Sequence, residues 1–221
     1  MERKKLIIYG IGRFAEYVQY VFDNDTAYSV EGFCIEKKLY DLNKWNSNLP
    51  LILLEDLLEN YSTKEYSIFI AVGNNEIRKK FFLMFNEKGF PFTNYISTQC
   101  SSWPNLRIGN NVFVDEGCVL QPFITLEDNT ILFTSQIGHH TSIGKHSLVS
   151  GAKTGGNVKI GENCYIGLNA SIKQNISIAD NSIIGMGCII EKDTELNEVY
   201  THKGTLKRQI SSLQISSRFL K

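Results

Sequence analysis

The sequence predicts two unlike parts: an α/β domain with a small, Rossmann-like parallel sheet, followed by a left-handed parallel β-helix built from hexapeptide repeats. Strands alternate with helices over about the first 95 residues, and a six-residue repeat then runs from Arg107 to about Thr194. We assign residues 1–97 to the α/β domain, residues 98–195 to the β-helix and residues 196–221 to a C-terminal tail.

Apolar and amphipathic runs define the elements of the α/β domain. They predict strands and helices in alternation, at residues 5–9, 14–22, 29–35, 53–60, 66–72 and 75–88. The last of these helices has its apolar positions at Ile77, Phe81, Phe82 and Phe85. Strands that alternate with helices form a parallel sheet covered by helices, and a final strand at residues 92–96 leads into the repeat.

Aliphatic residues recur at every sixth position of the second part, in runs at residues 108–132, 137–149 and 160–190. This period fits neither a helix nor an ordinary strand, and it is the sequence sign of a parallel β-helix. About 18 residues form one triangular coil, so the repeat gives roughly five stacked coils. Two slips of one residue, near Phe133-Thr134 and near residues 153–156, predict short loops, where function is commonly placed.

The composition excludes several classes of protein. The chain has 23 basic and 23 acidic residues, whereas proteins that bind nucleic acid usually carry a basic surplus. No apolar run is long enough to span a membrane. Basic residues precede an apolar stretch at the N-terminus, but that stretch is interrupted within a few residues, so we expect no signal peptide and a cytoplasmic location.

The cysteines give no sign of a metal or redox site. None of the five stands in a close pair, which is the spacing that such sites need. Cys118, Cys164 and Cys188 occupy the small inward position of the repeat, where cysteine acts as an apolar filler. We therefore expect no metal and no acyl-cysteine intermediate.

Three of the four histidines lie within eight residues, beside the first slip of the repeat. His139 and His140 fall in a turn, so we expect their side chains to point outwards. An imidazole near its ordinary pKa is a natural general base at cellular pH. A zinc site formed by His139, His140 and His146 is an alternative, although its ligands should come from neighbouring coils about 18 residues apart.

Glycines cluster just after the histidines, at Gly151, Gly155 and Gly156. Glycine lets a ligand approach the backbone closely, and a free N–H there is suited to hold the oxyanion that develops on a thioester carbonyl. The alternative is a plain corner at which the coil skips a residue.

Two glycine-containing turns follow predicted strands of the α/β domain. Gly10, Gly12 and Arg13 precede one helix, and residues 73–76 precede another. In open α/β sheets ligands lie at the carboxyl ends of strands, and helix N-termini bind phosphate. We predict a small nucleotide site there that includes Gly73, Asn74 and Asn75; alternatively the glycines serve geometry alone and Asn75 is only a helix cap.

The chain resembles the bacterial nucleotide-sugar N-acetyltransferases of the left-handed β-helix class, which are related to the sialic-acid O-acetyltransferases. The resemblance spans about residues 4–195, and its most specific parts are residues 70–79, the turn at Gly10 and residues 155–161. It implies that the N-terminal domain binds the nucleotide of a nucleotide-linked amino sugar. It also implies a homotrimer with acetyl-CoA between neighbouring subunits.

The resemblance assigns roles to individual residues. His139 is implied to be the catalytic base, with His140 beside it, and the N–H of Gly156 is implied to face the acetyl carbonyl. Glu36 is implied to contact the base or ribose of the nucleotide. Acetyl-CoA binding is assigned to Lys153, Gly155, Gly156 and Lys203.

Three positions depart from the family pattern. His140 replaces the acidic residue that commonly follows the catalytic histidine, and Leu148 stands where we align a second family histidine. Residues 202–205 replace a Gly-Val-Pro-Ala segment that lies against CoA.

We predict N-acetyl transfer from acetyl-CoA to a sugar amine, for glycan synthesis, by direct attack on the thioester. Two alternatives are open, namely O-acetyl transfer to a hydroxyl of a sugar such as sialic acid and a homologue that binds a nucleotide sugar without catalysis.

Overall fold

A computed structural model describes residues 4–40, 47–207 and 209 of the chain. The N-terminal elements are β1 (Lys4–Tyr9), α1 (Arg13–Asp25), β2 (Tyr28–Ile35), a 3₁₀ helix (Lys37–Leu39), β3 (Leu51–Leu53), α2 (Leu54–Asn60), β4 (Tyr66–Ile70) and α3 (Asn75–Glu87). The four strands form one parallel sheet in the order β3-β2-β1-β4. The α/β architecture predicted from the sequence is confirmed, with β3 as an additional short strand at the edge.

Helices α1 and α3 bury aromatic and aliphatic side chains on the sheet. Phe22 of α1 and Phe81, Phe82 and Phe85 of α3 are buried. Ile77, the first apolar position of this helix, has a side chain that is 47% exposed. The first turn of α3 extends beyond the sheet, so Ile77 faces an open cleft described below.

The repeat folds into a left-handed parallel β-helix, as predicted. Its strands are β5 (Tyr95–Ile96), β6 (Arg107–Ile108), β7 (Phe113–Val114), β8 (Val119–Leu120), β9 (Thr125–Leu126), β10 (Ile131–Phe133), β11 (Gln136–Ile137), β12 (Ser142–Ile143), β13 (Leu148–Ser150), β14 (Lys153–Thr154), β15 (Lys159–Ile160), β16 (Tyr165–Ile166), β17 (Ser171–Ile172), β18 (Ser177–Ile178), β19 (Ile183–Ile184), β20 (Ile189–Ile190) and β21 (Val199–Tyr200).

The strands form three faces of a triangular prism. The first face contains β5, β7, β10, β13, β16, β19 and β21, the second β8, β11, β14, β17 and β20, and the third β6, β9, β12, β15 and β18. Cys118, Cys164 and Cys188 are buried in the interior, as the repeat predicts. Strand β21 continues the first face beyond Thr194, where the aliphatic pattern ends.

The two slips of the repeat lie at the same edge of the prism. Register partners on the first face are 17 residues apart from Leu132 to Val149 and from Val149 to Ile166. The first slip lies at Thr134, as predicted, where φ is 40°. The second lies at Gly151 (φ 58°), whose N–H donates to the Phe133 carbonyl at 2.7 Å.

The prediction of a second slip near residues 153–156 is therefore wrong. Those residues contain the regular strand β14, whose inward position is held by a threonine in place of an aliphatic residue. A polar threonine is tolerated at this inward position because its Oγ1 accepts a hydrogen bond from Gly138 N at 2.9 Å. The search for aliphatic residues therefore did not detect Thr154 as a member of the repeat.

The α/β domain packs on the first face of the prism. Outward residues of four successive strands there, Tyr95, Phe113, Ile131 and Leu148, are buried in one core with the domain. At this contact Arg78 of α3 is buried and donates to the carbonyls of Asn129 and His146, at 3.2 and 2.7 Å. The two parts are thus joined by apolar packing and by a buried guanidinium.

The described chain contains no helix that is long and apolar enough to cross a membrane. The tail helix predicted from Leu206 to Lys221 falls almost entirely outside the described residues.

Candidate functional site

The corner between the second and third faces carries His139 and His140. We call it the exposed corner, and it consists of the stacked turns 121–123, 138–140, 155–157 and 173–175. The backbone N–H of His139 donates to Gln121 Oε1 in the turn below, at 2.9 Å. The His139 carbonyl accepts from Asn157 N in the turn above, at 2.7 Å. His139 is therefore held from both sides while its side chain points outwards, as predicted.

The imidazole of His139 lies directly over Gly156. A Cβ placed on Gly156 would come within 2.5 Å of His139 Cε1 and 2.6 Å of Nε2, so only glycine leaves room for the ring. Within the part of the chain that the structure describes, the Gly156 N–H donates to no acceptor. A free N–H thus belongs to the residue that the His139 ring lies against, and a backbone donor near an imidazole is able to stabilise an oxyanion next to a general base.

Gly155 has a different role from Gly156. A Cβ on Gly155 would strike the backbone of Gln174 at 2.6 Å, and similar clashes meet Gly138, Gly144 and Gly161 at the repeat's other turns. Gly155 is therefore required by coil stacking, whereas Gly156 is required by the His139 side chain.

His140 completes the corner. Its Nδ1 lies 3.1 Å from His139 Nδ1, and its ring stacks on Phe123 with centroids 4.5 Å apart. Sequence reasoning missed Phe123. Counting back one 17-residue coil from His140 would have found it.

His146 belongs to another corner and does not join this pair. It lies between the third and first faces, is 3% exposed and packs against Phe82 of α3. Asn129 Nδ2 lies 2.8 Å from its Nδ1. Burial lowers the pKa of His146 to about 4, an effect that the nearby Lys79 and Arg78 increase. Leu148 also lies under the α/β domain, away from His139.

No metal site is formed by these histidines. Across residues 4–40, 47–207 and 209, no group of three or more His, Cys, Asp or Glu side chains is placed to hold a metal ion.

The remaining residues predicted to bind acetyl-CoA are exposed. Lys153 lies in β14, on the strand that leads into Gly155, and its side chain points away from the prism. Lys203 lies beyond β21, next to His202, whose ring is about 4.0 Å from the position of a Cβ on Gly187. The structure thus places Lys153 beside the exposed corner and Lys203 at the neighbouring edge of the prism.

A cleft of about 620 Å³ opens at the carboxyl ends of β1, β2 and β4. It contains five of the residues predicted to bind the nucleotide: Gly10, Gly12, Arg13, Glu36 and Gly73. The sequence-derived site is therefore assembled at the expected edge of the sheet. Its lining also includes residues that were not predicted, among them Lys38, Leu39, Ile77 and Lys80.

The glycines of the cleft differ in what they do. Gly10 has a φ of 127°, and a Cβ there would lie 2.8 Å from the Ala71 carbonyl oxygen, so it is needed for close packing of strands. Gly12 and Gly73 have no atom within 4 Å of an added Cβ. Gly12 caps α1 without a side-chain hydrogen bond, which leaves the helix N-terminus open to an anion.

Charged side chains surround the mouth of the cleft. Glu36 lies between Lys38 and Lys80, with carboxylate-to-amine distances of 3.3 and 3.4 Å. Arg13 is highly exposed and pairs with Glu16 at 3.0 Å. Exposed apolar side chains of Leu39 and Ile77 stand among these charges, so the cleft combines a flat apolar surface with cationic groups.

Asn74 and Asn75 lie outside this cleft. Asn74 Oδ1 accepts from Ile77 N at 3.0 Å and caps α3. Asn75 Oδ1 accepts from Arg78 at 2.9 Å, and its Nδ2 donates to the Cys164 carbonyl of the β-helix at 3.0 Å. Both side chains therefore make structural contacts, and both line a separate depression against the β-helix.

The cleft and the exposed corner are not brought together within one chain. The residues that line the cleft all belong to the α/β domain, which packs on the first face, whereas His139 and Gly156 lie between the second and third faces.

Two family descriptions match the chain. Residues 5–85 match the PglD N-terminal domain, and residues 157–192 match the hexapeptide repeat of succinyl-transferase.

Solved structures match both parts together. The acetyltransferase domain of PglB from Neisseria gonorrhoeae is 26% identical with a TM-score of 0.80, covering 89% of this chain and 96% of that chain. The same domain in complex with acetyl coenzyme A is matched at 24% identity and a TM-score of 0.75, over 85% and 93% of the chains. PerB from Caulobacter crescentus, in complex with CoA and GDP-perosamine, has 21% identity and a TM-score of 0.76, over 87% and 92%.

The predicted resemblance is therefore confirmed. The chain joins a domain that matches the PglD N-terminal domain to a hexapeptide-repeat β-helix, and the acetyltransferase domain of PglB is similar to it over both parts.

Proposed function

We propose that this protein transfers the acetyl group of acetyl-CoA to the amine of a nucleotide-linked amino sugar. The observation that carries the proposal is the contact between the His139 ring and Gly156, whose N–H donates to no acceptor within the described chain. The imidazole is placed to accept the proton of the attacking amine, while the N–H stabilises the oxyanion. Such a base contributes about 10²–10⁴ in rate, and such a donor about 3 kcal/mol.

Direct attack by the amine, without an acyl-enzyme, is supported by the state of the cysteines. Burial raises the pKa of Cys118 to about 12 and that of Cys164 to about 11. A thiol with such a pKa is not a thiolate at neutral pH and is therefore a poor nucleophile.

The proposal that acetyl-CoA is the donor is supported by the exposed lysine beside the corner and by the solved relatives. Lys153 stands next to the Gly155-Gly156 turn, and a cation there suits a phosphorylated donor. The PglB acetyltransferase domain has been solved with acetyl coenzyme A.

The acceptor is proposed to bind in the cleft of the α/β domain. Leu39 and Ile77 provide an apolar surface for a nucleobase, while Arg13, Lys38 and Lys80 provide charges for phosphates. The open N-terminus of α1 at Gly12 is suited to a phosphate group. PerB has been solved with GDP-perosamine, a sugar nucleotide that carries an amine.

The separation of cleft and corner supports a homotrimer with shared sites. Since one chain holds its nucleotide cleft and its His139 on different sides of the prism, we propose that the cleft of one subunit serves the His139 of a neighbour. Mixing inactive His139→Asn protein with an inactive cleft variant, under conditions that exchange subunits, should then restore part of the activity.

The test is a thiol-release assay with acetyl-CoA and a panel of UDP-, dTDP- and GDP-linked amino sugars. We expect release of CoA with at least one of these amines and not with sialic acid. Release with sialic acid alone would instead establish O-acetyl transfer. No release, together with nucleotide-sugar binding but no acetyl-CoA binding by calorimetry, would identify a non-catalytic binding protein.

A further inference from the structure

We propose that Phe123 and His140 are positioning residues for His139, so that the base of this protein is a pair of imidazoles held by an aromatic ring. This inference rests on the proposed function and assigns separate roles to the residues of the exposed corner. It involves a residue, Phe123, that no sequence motif identified.

The contact between the two imidazoles determines which ring nitrogen of each carries the proton. The Nδ1 atoms of His139 and His140 are 3.1 Å apart, so one must donate and the other must accept. The His139 ring lies against Gly156, and its Nδ1 is already engaged by His140, so Nε2 is the nitrogen left to act as the base. For Nε2 to act as a base, the neutral His139 must carry its proton on Nδ1, and His140 must accept it.

Phe123 sets the direction of the His140 ring. The two rings stack with their planes 29° apart, and the backbone of each residue is fixed by the turn below. Phe123 N lies 3.3 Å from Asn105 Oδ1, and His140 N lies 3.1 Å from the Pro122 carbonyl oxygen. A ring held in this way keeps its Nδ1 on the side of His139.

Phe123 and His140 have a left-handed backbone conformation that bulky aromatic residues seldom adopt. Phe123, His140, Asn157 and Asn175 occupy equivalent positions in successive coils, with φ between 58° and 67°. Asparagine tolerates this left-handed conformation better than a bulky aromatic residue does. Asn157 and Asn175 form an amide pair, at 2.9 Å, whereas aromatic rings occupy this position on the rung of His139 and on the rung below it. Such unfavoured backbone is commonly retained where function requires it.

The proton path follows from these contacts. The amine nitrogen bonds to the thioester carbonyl carbon, the carbonyl oxygen becomes an oxyanion at Gly156 N–H, and the nitrogen's proton moves to His139 Nε2. The resulting imidazolium donates its Nδ1–H to His140. When the intermediate collapses, the carbonyl re-forms, the C–S bond breaks, and the CoA thiolate takes the proton from Nε2. His140 accepts a hydrogen bond throughout and gains no proton.

The surrounding charges suit a neutral partner. Within the described residues, neither ring forms an ion pair with a carboxylate. The His139 ring lies against His140 and Gly156, and the His140 ring lies against His139 and Phe123. The turn below, residues 121–123, carries no charge. On the coil above, Lys153 precedes the Gly155-Gly156 turn, and Lys173 stands in the following coil. Only a neutral His140 can accept a hydrogen bond at Nδ1.

The experiment compares His140→Asn, Phe123→Asn and Phe123→Tyr with wild type. Asparagine restores the residue found on the neighbouring rungs, so folding is preserved, and tyrosine keeps the stack. Steady-state thiol release from pH 5 to pH 9 should show kcat lowered roughly tenfold to a hundredfold in His140→Asn, and about twofold to tenfold in Phe123→Asn. KM should change little, and Phe123→Tyr should retain the wild-type kcat.

A second measurement is independent of turnover. The chain contains only four histidines, so the tautomers of His139 are resolvable by ¹⁵N NMR of labelled imidazoles. We expect the proton of neutral His139 on Nδ1 in wild type and in Phe123→Tyr, and a shift towards Nε2–H in Phe123→Asn and His140→Asn.

The proposal would be overturned by the same tautomer in every variant, or by wild-type kcat in His140→Asn while His139→Asn is inactive. If the wild type acetylates no member of the panel, the proposed function fails, and the NMR comparison still decides whether Phe123 and His140 position the ring.

Discussion

His140 and His146 occupy the same backbone position at successive corners of one coil, yet their surroundings differ completely. Both have a left-handed backbone, with φ of 58° and 63°. His140 is exposed, stacks on Phe123, and has its Nδ1 3.1 Å from His139 Nδ1. His146 is buried under the α/β domain and bonds to Asn129.

The difference shows that the repeat fixes the position of a side chain while its neighbours decide its role. At the buried corner four residues are joined in a continuous chain of hydrogen bonds. Ile70 N donates to Asn111, Asn111 to Asn129, and Asn129 reaches His146, with distances of 2.7, 2.7 and 2.8 Å. At the exposed corner, by contrast, the Gly156 N–H and His139 Nε2 have no hydrogen-bond partner within the described part of the chain, as the proposed function requires. The buried corner should therefore control stability, and the exposed corner catalysis.

The largest effect should come from removing the base at the exposed corner. His139→Asn is expected to lower kcat for acetyl transfer by about 10²–10⁴ without changing the melting temperature, because the side chain is not part of the core. A thiol-release assay measures kcat, and calorimetry measures the melting temperature. His146→Asn is the matched control, and equal losses of kcat in both variants would contradict the division of roles.

Gly156→Ala should give the next largest loss. The new methyl group would lie within 2.5 Å of His139 Cε1, so the ring must move, and a displacement of about 1 Å costs about 10²-fold in rate. The double variant with His139→Asn should lose no more than His139→Asn alone, because both changes act through the same ring. Additive losses would show that Gly156 acts independently of His139.

Acid should weaken the buried corner through His146. The pKa of this imidazole is about 4 in the folded protein against an ordinary 6.5. Between these values the unfolded chain binds more protons, so the free energy of unfolding falls as the pH falls, by about 3 kcal/mol in all.

The variant His146→Asn isolates this effect from that of acidic residues. Asparagine continues the amide chain and does not titrate. The free energy of unfolding of the His146→Asn protein should stay within about 1 kcal/mol of the wild-type value at pH 7. Between pH 6.5 and pH 4 it should fall less than that of the wild type. Denaturant titrations over this range measure the difference, and parallel curves for the two proteins would exclude His146 as its source.

A smaller effect is expected in the cleft, which belongs to neither corner. Gly12→Ala adds a methyl group where no atom lies within 4 Å, so the fold should be unchanged. The methyl group intrudes on the open helix N-terminus and should raise KM for the nucleotide sugar roughly tenfold. The KM for acetyl-CoA serves as the internal control, and an equal rise in both constants would argue against a nucleotide site at Gly12.

Much of the site was predictable because the repeat is regular. The six-residue period predicted the β-helix, and His139 and Gly156 were predicted as partners and lie in contact. The second slip was misplaced, since Thr154 holds an inward position through a hydrogen bond that a search for aliphatic residues does not detect. Phe123 was missed because its neighbour in space is 17 residues away in sequence. Ile77 and Lys80 were not predicted to line the cleft. The helical pattern of the sequence does not show which residues of α3 lie at the edge of the sheet, where the cleft opens.

The most direct test makes the same substitution at the same backbone position of both corners. His140→Asn and His146→Asn are compared for kcat in acetyl transfer and for free energy of unfolding at pH 7 and pH 4.5. We predict that His140→Asn lowers kcat, while His146→Asn keeps kcat and loses part of the pH dependence of stability that the wild type shows. The opposite pattern, or the same pattern in both variants, would contradict the account.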